Sequence, residues 1–199
     1  MRRGAMVAAL VAAAGLMGCD VDSPAPRAAT TPPPVTTAPA ATTASPASAL
    51  PPPNLGPEGY GALKLGMTKA QARATGLVTG LGASDAGECG GPGDGRLHGG
   101  DPADRDSLPG WLAFSSRSNR LVAIYAIPGV RTPEGIGLGS TYDELHAAYP
   151  AWEAIGPDPT NGRRGVDVRG NPDAHYRIVV RDHKVRQLSL DSDEQDCYE

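Results

Sequence analysis

The sequence predicts an α+β domain of two tandem helix-plus-antiparallel-sheet units, placed behind a disordered linker. Three observations carry that expectation. Short segments recur between residues 57 and 199, each copy carries a helix-capping signal, and composition changes abruptly before residue 57. The 199 residues allow one domain or two small ones. With 40% hydrophobic residues, 5% aromatics and a single Phe, Phe114, the predicted core is lean. A formal charge of −4 argues against a nucleic-acid surface, which normally shows a basic excess. No apolar run reaches the roughly 18 residues of an ordinary spanning helix.

The N-terminus reads as an address. Arg2 and Arg3 precede a short apolar run from Ala5 to Ala14, and Gly15-Leu16-Met17-Gly18-Cys19 follows. A basic start, a short apolar stretch and small residues near a cut site describe an export signal. Leu16, Gly18 and Cys19 resemble the lipobox of bacterial lipoproteins. That resemblance implies a signal peptide over 1–18, with Cys19 lipidated and leading the mature chain. Two or more acyl chains anchor durably where one does not. Residues 19–56 are then the lipidated Cys and a stalk. From Asp20 to Gly56, 28 of 37 residues are Ala, Pro, Ser or Thr, too few large apolar groups to offset the entropy of ordering. Pro keeps such a chain extended, with a reach on the order of 100 Å. Arg outnumbers Lys 15 to 3 and Ala is abundant, a composition expected of a GC-rich, actinobacterial genome.

The two units are expected at 57–130 and 131–199. Pro57-Glu-Gly-Tyr-Gly61 recurs as Pro133-Glu-Gly-Ile-Gly137, and Leu65-Gly-Met-Thr68 as Leu138-Gly-Ser-Thr141. Thr68 with Gln71, and Thr141 with Glu144, have capping-box spacing, in which hydroxyl and side chain satisfy each other's orphan amides. The first helix is expected to show Ala70, Ala74 and Leu77 at helical spacing, with Gly76 able to stop it. The second places Leu145 and Ala148 or Tyr149 inward and stops at Pro150. Leu112–Ala126 and Tyr176–Leu190 then read as β-hairpins turning at Ser118-Asn119 and Asp182-His183. A three-residue loop at Asp182–Lys184 is expected, because it keeps Tyr176, Ile178, Leu188 and Leu190 on one face. Between helix and hairpin the first copy holds nine extra residues, within the Gly-rich stretch 82–110. This tandem layout, with Leu65–Thr68 at its centre, is similar to that of β-lactamase inhibitory proteins. The single unit is similar to the outer-membrane assembly lipoproteins of the BamE or SmpA family. The resemblance implies a fold that works by binding proteins through sheet and loop surfaces, without catalysis.

Candidate chemistry is sparse. Cys89 and Cys197 are the thiols left after Cys19, and in an exported protein such a pair is expected to be bonded. His98, His146, His175 and His183 lack zinc-ligand spacing, so no metal or cofactor is predicted. No G-x-S-x-G elbow occurs. Gly135-Ile-Gly-Leu-Gly139 lacks the third spaced glycine and the downstream acid of a dinucleotide loop. Asp101, Asp104 and Asp106, and Asp191, Asp193, Glu194 and Asp196, form two acidic stretches that the disulfide would bring together, a conceivable calcium cradle that matches no EF-hand. Trp111 and Trp152 are expected as core anchors. Loops on rigid scaffolds commonly carry recognition. The stretch 82–110 is therefore the candidate contact loop, with Arg96, His98, Asp101, Asp104, Asp106 and Trp111 as candidate binding residues. The expectation is a monomeric, non-catalytic lipoprotein on the extracytoplasmic face of the cell membrane, binding a protein or envelope component but no nucleic acid. The narrower alternative is an inhibitor of a secreted hydrolase. The rival classes are a cell-wall hydrolase using a carboxylate pair, and a stalked structural protein without a ligand.

Overall fold

A computed structural model of the protein describes residues 53–198. The signal peptide, Cys19 and all but the end of the expected stalk lie outside the described residues. The chain divides into two units, Met1–Pro46 and Ala47–Glu199, and the described residues belong to the second. They form an α+β fold with antiparallel sheets. In chain order these are β1 (Gly59–Tyr60), β2 (Leu63–Lys64), α1 (Lys69–Ala74), β3 (Val78–Leu81), β4 (Asp94–Leu97), β5 (Leu112–Phe114), β6 (Leu121–Tyr125), α2 (Tyr142–Ala148), β7 (Gly162–Val168), β8 (Asn171–Arg181) and β9 (Lys184–Ser192). β1 pairs with β2 and β3 with β4, while the main sheet has the order β5-β6-β9-β8-β7. No helix among the described residues is long and apolar enough to cross a membrane.

Both helices begin as their sequences dictate. The Thr68 amide donates to Gln71 Oε1 at 2.9 Å and the Gln71 amide to Thr68 Oγ1 at 3.2 Å. Thr141 and Glu144 repeat the exchange at 2.8 and 3.2 Å. Each box satisfies two amides that a helix start leaves without intrahelical partners. In α2, Leu145 is buried and Ala148 and Tyr149 pack against the core, as periodicity predicts. In α1 the apolar residues at helical spacing do not supply the buried face. Ala70 and Ala74 are exposed, Leu77 is half-buried, and the residues turned inward are Ala72 and Lys69. The reason is a buried acid, Asp94, that draws the lysine in.

The main sheet joins two hairpins through β6 and β9, with Ile124 opposite Leu190. One face supplies the core: Leu112, Phe114, Leu121 and Ile124 from the first hairpin, Tyr176, Ile178, Leu188 and Leu190 from the second. Trp152, fully buried, meets Tyr142 edge-on at 6.0 Å. Leu55, assigned by composition to the stalk, is also fully buried, and its carbonyl accepts the Tyr176 hydroxyl at 2.8 Å.

The second hairpin turns differently from expectation. Arg181 pairs with Lys184, so Asp182 and His183 form a two-residue turn with φ of 52° and 57°. Both central residues at positive φ match the twist of the strands. Parity is restored by a bulge, since Val179 faces Gln187 while Val180 faces Val185, leaving Arg186 as the extra residue. Tyr176, Ile178, Leu188 and Leu190 therefore share a face despite the shorter loop. The first hairpin also carries a bulge, at Ala113/Phe114, and turns through Asn119 at φ 57°. The Gly-rich stretch is more ordered than a plain loop, because it contains β4.

Candidate functional site

The stretch 82–110 is fixed from below by a buried ion pair. Lys69 Nζ lies 3.0 Å from Asp94 Oδ1, and both side chains are fully buried. The same carboxylate accepts the amides of Glu88 (3.0 Å), Gly90 (2.8 Å) and Phe114 (2.9 Å). Lys69 also donates to the Ala86 carbonyl at 2.6 Å and sits 5.6 Å from the centre of the Phe114 ring. One buried carboxylate thus ties α1, the Gly-rich stretch and β5 together, with both its oxygens satisfied, as burial of charge requires. Gly87 completes the packing, since a Cβ there would collide with the carbonyl oxygens of Phe114 and Ser115. From above, Cys89 is bonded to Cys197, across 108 residues of sequence.

A pocket of about 200 Å³ opens on this base, walled by Gly90, Pro92, Arg96, Pro102, Arg105 and Trp111. β4 brings Arg96 beside Trp111 through an isolated antiparallel bridge. The Arg105 guanidinium stands 5.7 Å from the centre of the Trp111 ring, within range of a cation–π contact. Trp111 is half-buried, packing towards Ala113, Val122, Ala123 and Tyr125 on the outer face of the sheet. Its Nε1 is buried without a hydrogen-bond partner.

Of the other candidate binding residues, none lines this pocket. The His98 side chain is exposed, its amide donating to the Leu77 carbonyl. Asp101 caps a turn through the Ala103 amide. Asp104 accepts the amides of Asp106 and Ser107, which hold its carboxyl below the usual range. Asp106 lies 3.8 Å from Arg181. Nor do the two acidic stretches converge. Asp196 faces Arg117 and Ser116, while Asp191 and Asp193 face His175. The one group of three metal-capable side chains among the described residues is Cys89, Asp196 and Cys197, and its two sulfurs form the disulfide.

A second polar cluster lies on the outer face of the sheet. His175 Nδ1 is 2.8 Å from Asp193 Oδ1, and Nε2 is 4.0 Å from Asp191 Oδ2. The Tyr198 hydroxyl donates to Asp191 Oδ2 at 3.0 Å, and Arg177 stacks on the Tyr198 ring at 5.2 Å. Asp191 is fully buried, and burial pushes its carboxyl above the usual carboxylate range. Burial likewise raises the hydroxyls of Tyr125 and Tyr198. A cavity of about 710 Å³ lies alongside, lined by Asp167, Asn171, His175 and Asp193 among others.

Lys69, Asp94, Arg105, His175, Asp191 and Tyr198 are the residues that sequence reasoning missed as centres of organisation. For Asp94 a signal existed: an acid within Gly91-Pro-Gly-Asp-Gly95, where a glycine-rich turn leaves amides in search of an acceptor. Comparison with protein-family models, with curated proteins and with solved structures finds no match for this chain.

Proposed function

We propose that the protein is a non-catalytic cell-envelope lipoprotein, anchored by lipid on Cys19 at the extracytoplasmic face. A stalk that starts at Cys19 and ends where Leu55 enters the core presents a monomeric domain that binds a protein or envelope component through the stretch 82–110 and the adjoining Trp111. The observation that carries this reading is the way that stretch is held. A fully buried ion pair beneath it and a disulfide across it order that stretch in advance, and a recognition loop gains affinity when its ordering is completed before binding.

The finer reading is of two tandem units, 57–130 and 131–199, similar in layout to β-lactamase inhibitory proteins and to BamE or SmpA. A repeated backbone exchange supports it. The Gly66 amide donates to the Leu121 carbonyl and the Leu121 amide to Met67, while Gly139 and Ser140 make the same pair of bonds with Val185. Inhibition of a secreted hydrolase is the narrower form of the same function.

The test is capture from native envelope by the oxidised protein, compared with a variant lacking residues 84–108. A partner retained by the first and lost by the second is the expected result. Shortened wall fragments in the eluate would instead favour a hydrolase. One observation keeps that second reading in view: Asp167, Asp193 and His175 flank the larger cavity, with the buried Asp191 beside His175. If it holds, Asp193→Asn abolishes wall cleavage while leaving the fold intact.

A further inference from the structure

We infer that Arg96 and Arg105, mounted on Trp111, form an acceptor pocket for the carboxylate of one Asp or Glu side chain on a partner polypeptide. The inference rests on the binding-module reading above and adds the chemistry of the contact. It begins from an accounting of charge. Residues 88–106 contain five carboxylates, and each has a partner other than these arginines. Glu88 accepts the Gly93 amide, Asp94 holds Lys69, Asp101 and Asp104 cap their own turns, and Asp106 faces Arg181. Neither guanidinium makes an ion pair or side-chain hydrogen bond among the described residues, although both line one cavity in a chain of net charge −4.

The geometry suits a planar oxyanion. A guanidinium presents its donors as a fork that matches a carboxylate two bonds at a time. Contact with the Trp111 ring orients Arg105, and the bridge between Arg96 and Trp111 sets Arg96 on the same wall. Gly90 leaves the wall clear, and Pro92 and Pro102 stiffen the rim. Size chooses the ligand. At about 200 Å³ the pocket is smaller than the roughly 300–1,000 Å³ in which whole small molecules sit, so it takes a side chain rather than a disaccharide. The surrounding carboxylates repel a polyanion, and that leaves a single acid able to enter the pocket as the preferred guest.

The experiment is selection of a short-peptide library on the full, oxidised chain, run in parallel on the Arg96→Gln/Arg105→Gln variant, with circular dichroism to verify folding of both. Peptides enriched on the wild type are expected to share an acidic position. Changing it to Asn or Gln should weaken binding at least tenfold for the wild type and leave the variant's weak binding unchanged. Arg96→Lys/Arg105→Lys keeps the charge but loses the fork, so it should fall between the two. Enrichment without a shared acid, or equal binding to wild type and variant, overturns the pocket. Competition by N-acetylmuramic acid at lower concentration than the peptides would move the carboxylate to a wall sugar and overturn the polypeptide assignment. Envelope capture separates the two levels. A partner held equally by wild type and variant overturns the pocket alone, whereas no partner and no enriched peptide overturns the binding-module reading with it.

Discussion

Removing the buried acid should cost this protein more than removing its buried base. In Asp94→Ala the Lys69 ammonium stays fully buried with the Ala86 carbonyl as its remaining hydrogen-bond partner, and the amides of Glu88, Gly90 and Phe114 lose their acceptor together. Breaking a buried pair from one side costs about 3–5 kcal/mol, and a buried amide left unpaired about 1–3 kcal/mol. Water reaching the relaxed loop offsets part of this, so about 4–6 kcal/mol is the expected loss. At about 3 °C per kcal/mol, the melting temperature falls by about 12–18 °C. In Lys69→Met the carboxylate keeps its three amide donors, which themselves stabilise the ionised form. The expected loss is about half as large. Thermal melts at pH 7 with the disulfide intact read both values. Hydrogen exchange should show the three amides deprotected in Asp94→Ala and protected in Lys69→Met. A Lys69→Met variant as unstable as Asp94→Ala, or a loss below about 1 kcal/mol in either, refutes the claim that Asp94 organises the stretch.

Replacing Cys89 and Cys197 by Ser removes a cross-link spanning 108 residues and should destabilise by about 4–5 kcal/mol in denaturant titration. A change below about 1 kcal/mol would mean that the unfolded chain gains little freedom when the bond is lost. Asp191 carries a pH signature. Its carboxyl is raised by burial above the unfolded value of 3.8, so the folded state holds the proton to higher pH. That stability is fully present below the unfolded value and is lost as pH rises through the folded one. Relative to Asp191→Asn, the wild type should weaken steadily from about pH 4 upward, and a flat difference curve would refute the burial argument. His183→Gly should stabilise by about 0.5–1 kcal/mol, because glycine takes the positive φ of 57° at that turn without strain. A loss in melting temperature there would show that the His183 side chain contributes more than its backbone costs.

What was legible in the sequence is what a few neighbouring residues decide. Thr68 with Gln71 and Thr141 with Glu144 announce their helices because both halves of each box lie within one turn. Tyr176, Ile178, Leu188 and Leu190 announce a shared face because alternation is a local rule. The turn between them differs from expectation because a bulge changes parity without changing composition, and nothing in Val185-Arg186-Gln187 marks the extra residue. β7 escaped notice because Gly162–Val168, with its paired arginines, is a charged edge strand. The candidate site was half visible. Arg96 and Trp111 lie in a stretch whose glycines mark it as unusual, but Arg105 joins them only through the folding of 98–110. Lys69 was least legible of all. A lysine at the first position of a capped helix reads as solvated, and its partner lies 25 residues on. These misses share a cause. With one Phe and 5% aromatics the apolar core is lean, and charged and polar groups are buried beside it. Lys69 pairs with Asp94 under the Gly-rich stretch, and Asp191 with Tyr198 under the tail. Such pairs are fixed by direction as well as by volume, so they hold one loop conformation where an oily contact would allow several. At Asp94 that directional hold fixes the start of β4, the strand that carries Arg96 against Trp111, and the Trp111 ring in turn meets Arg105.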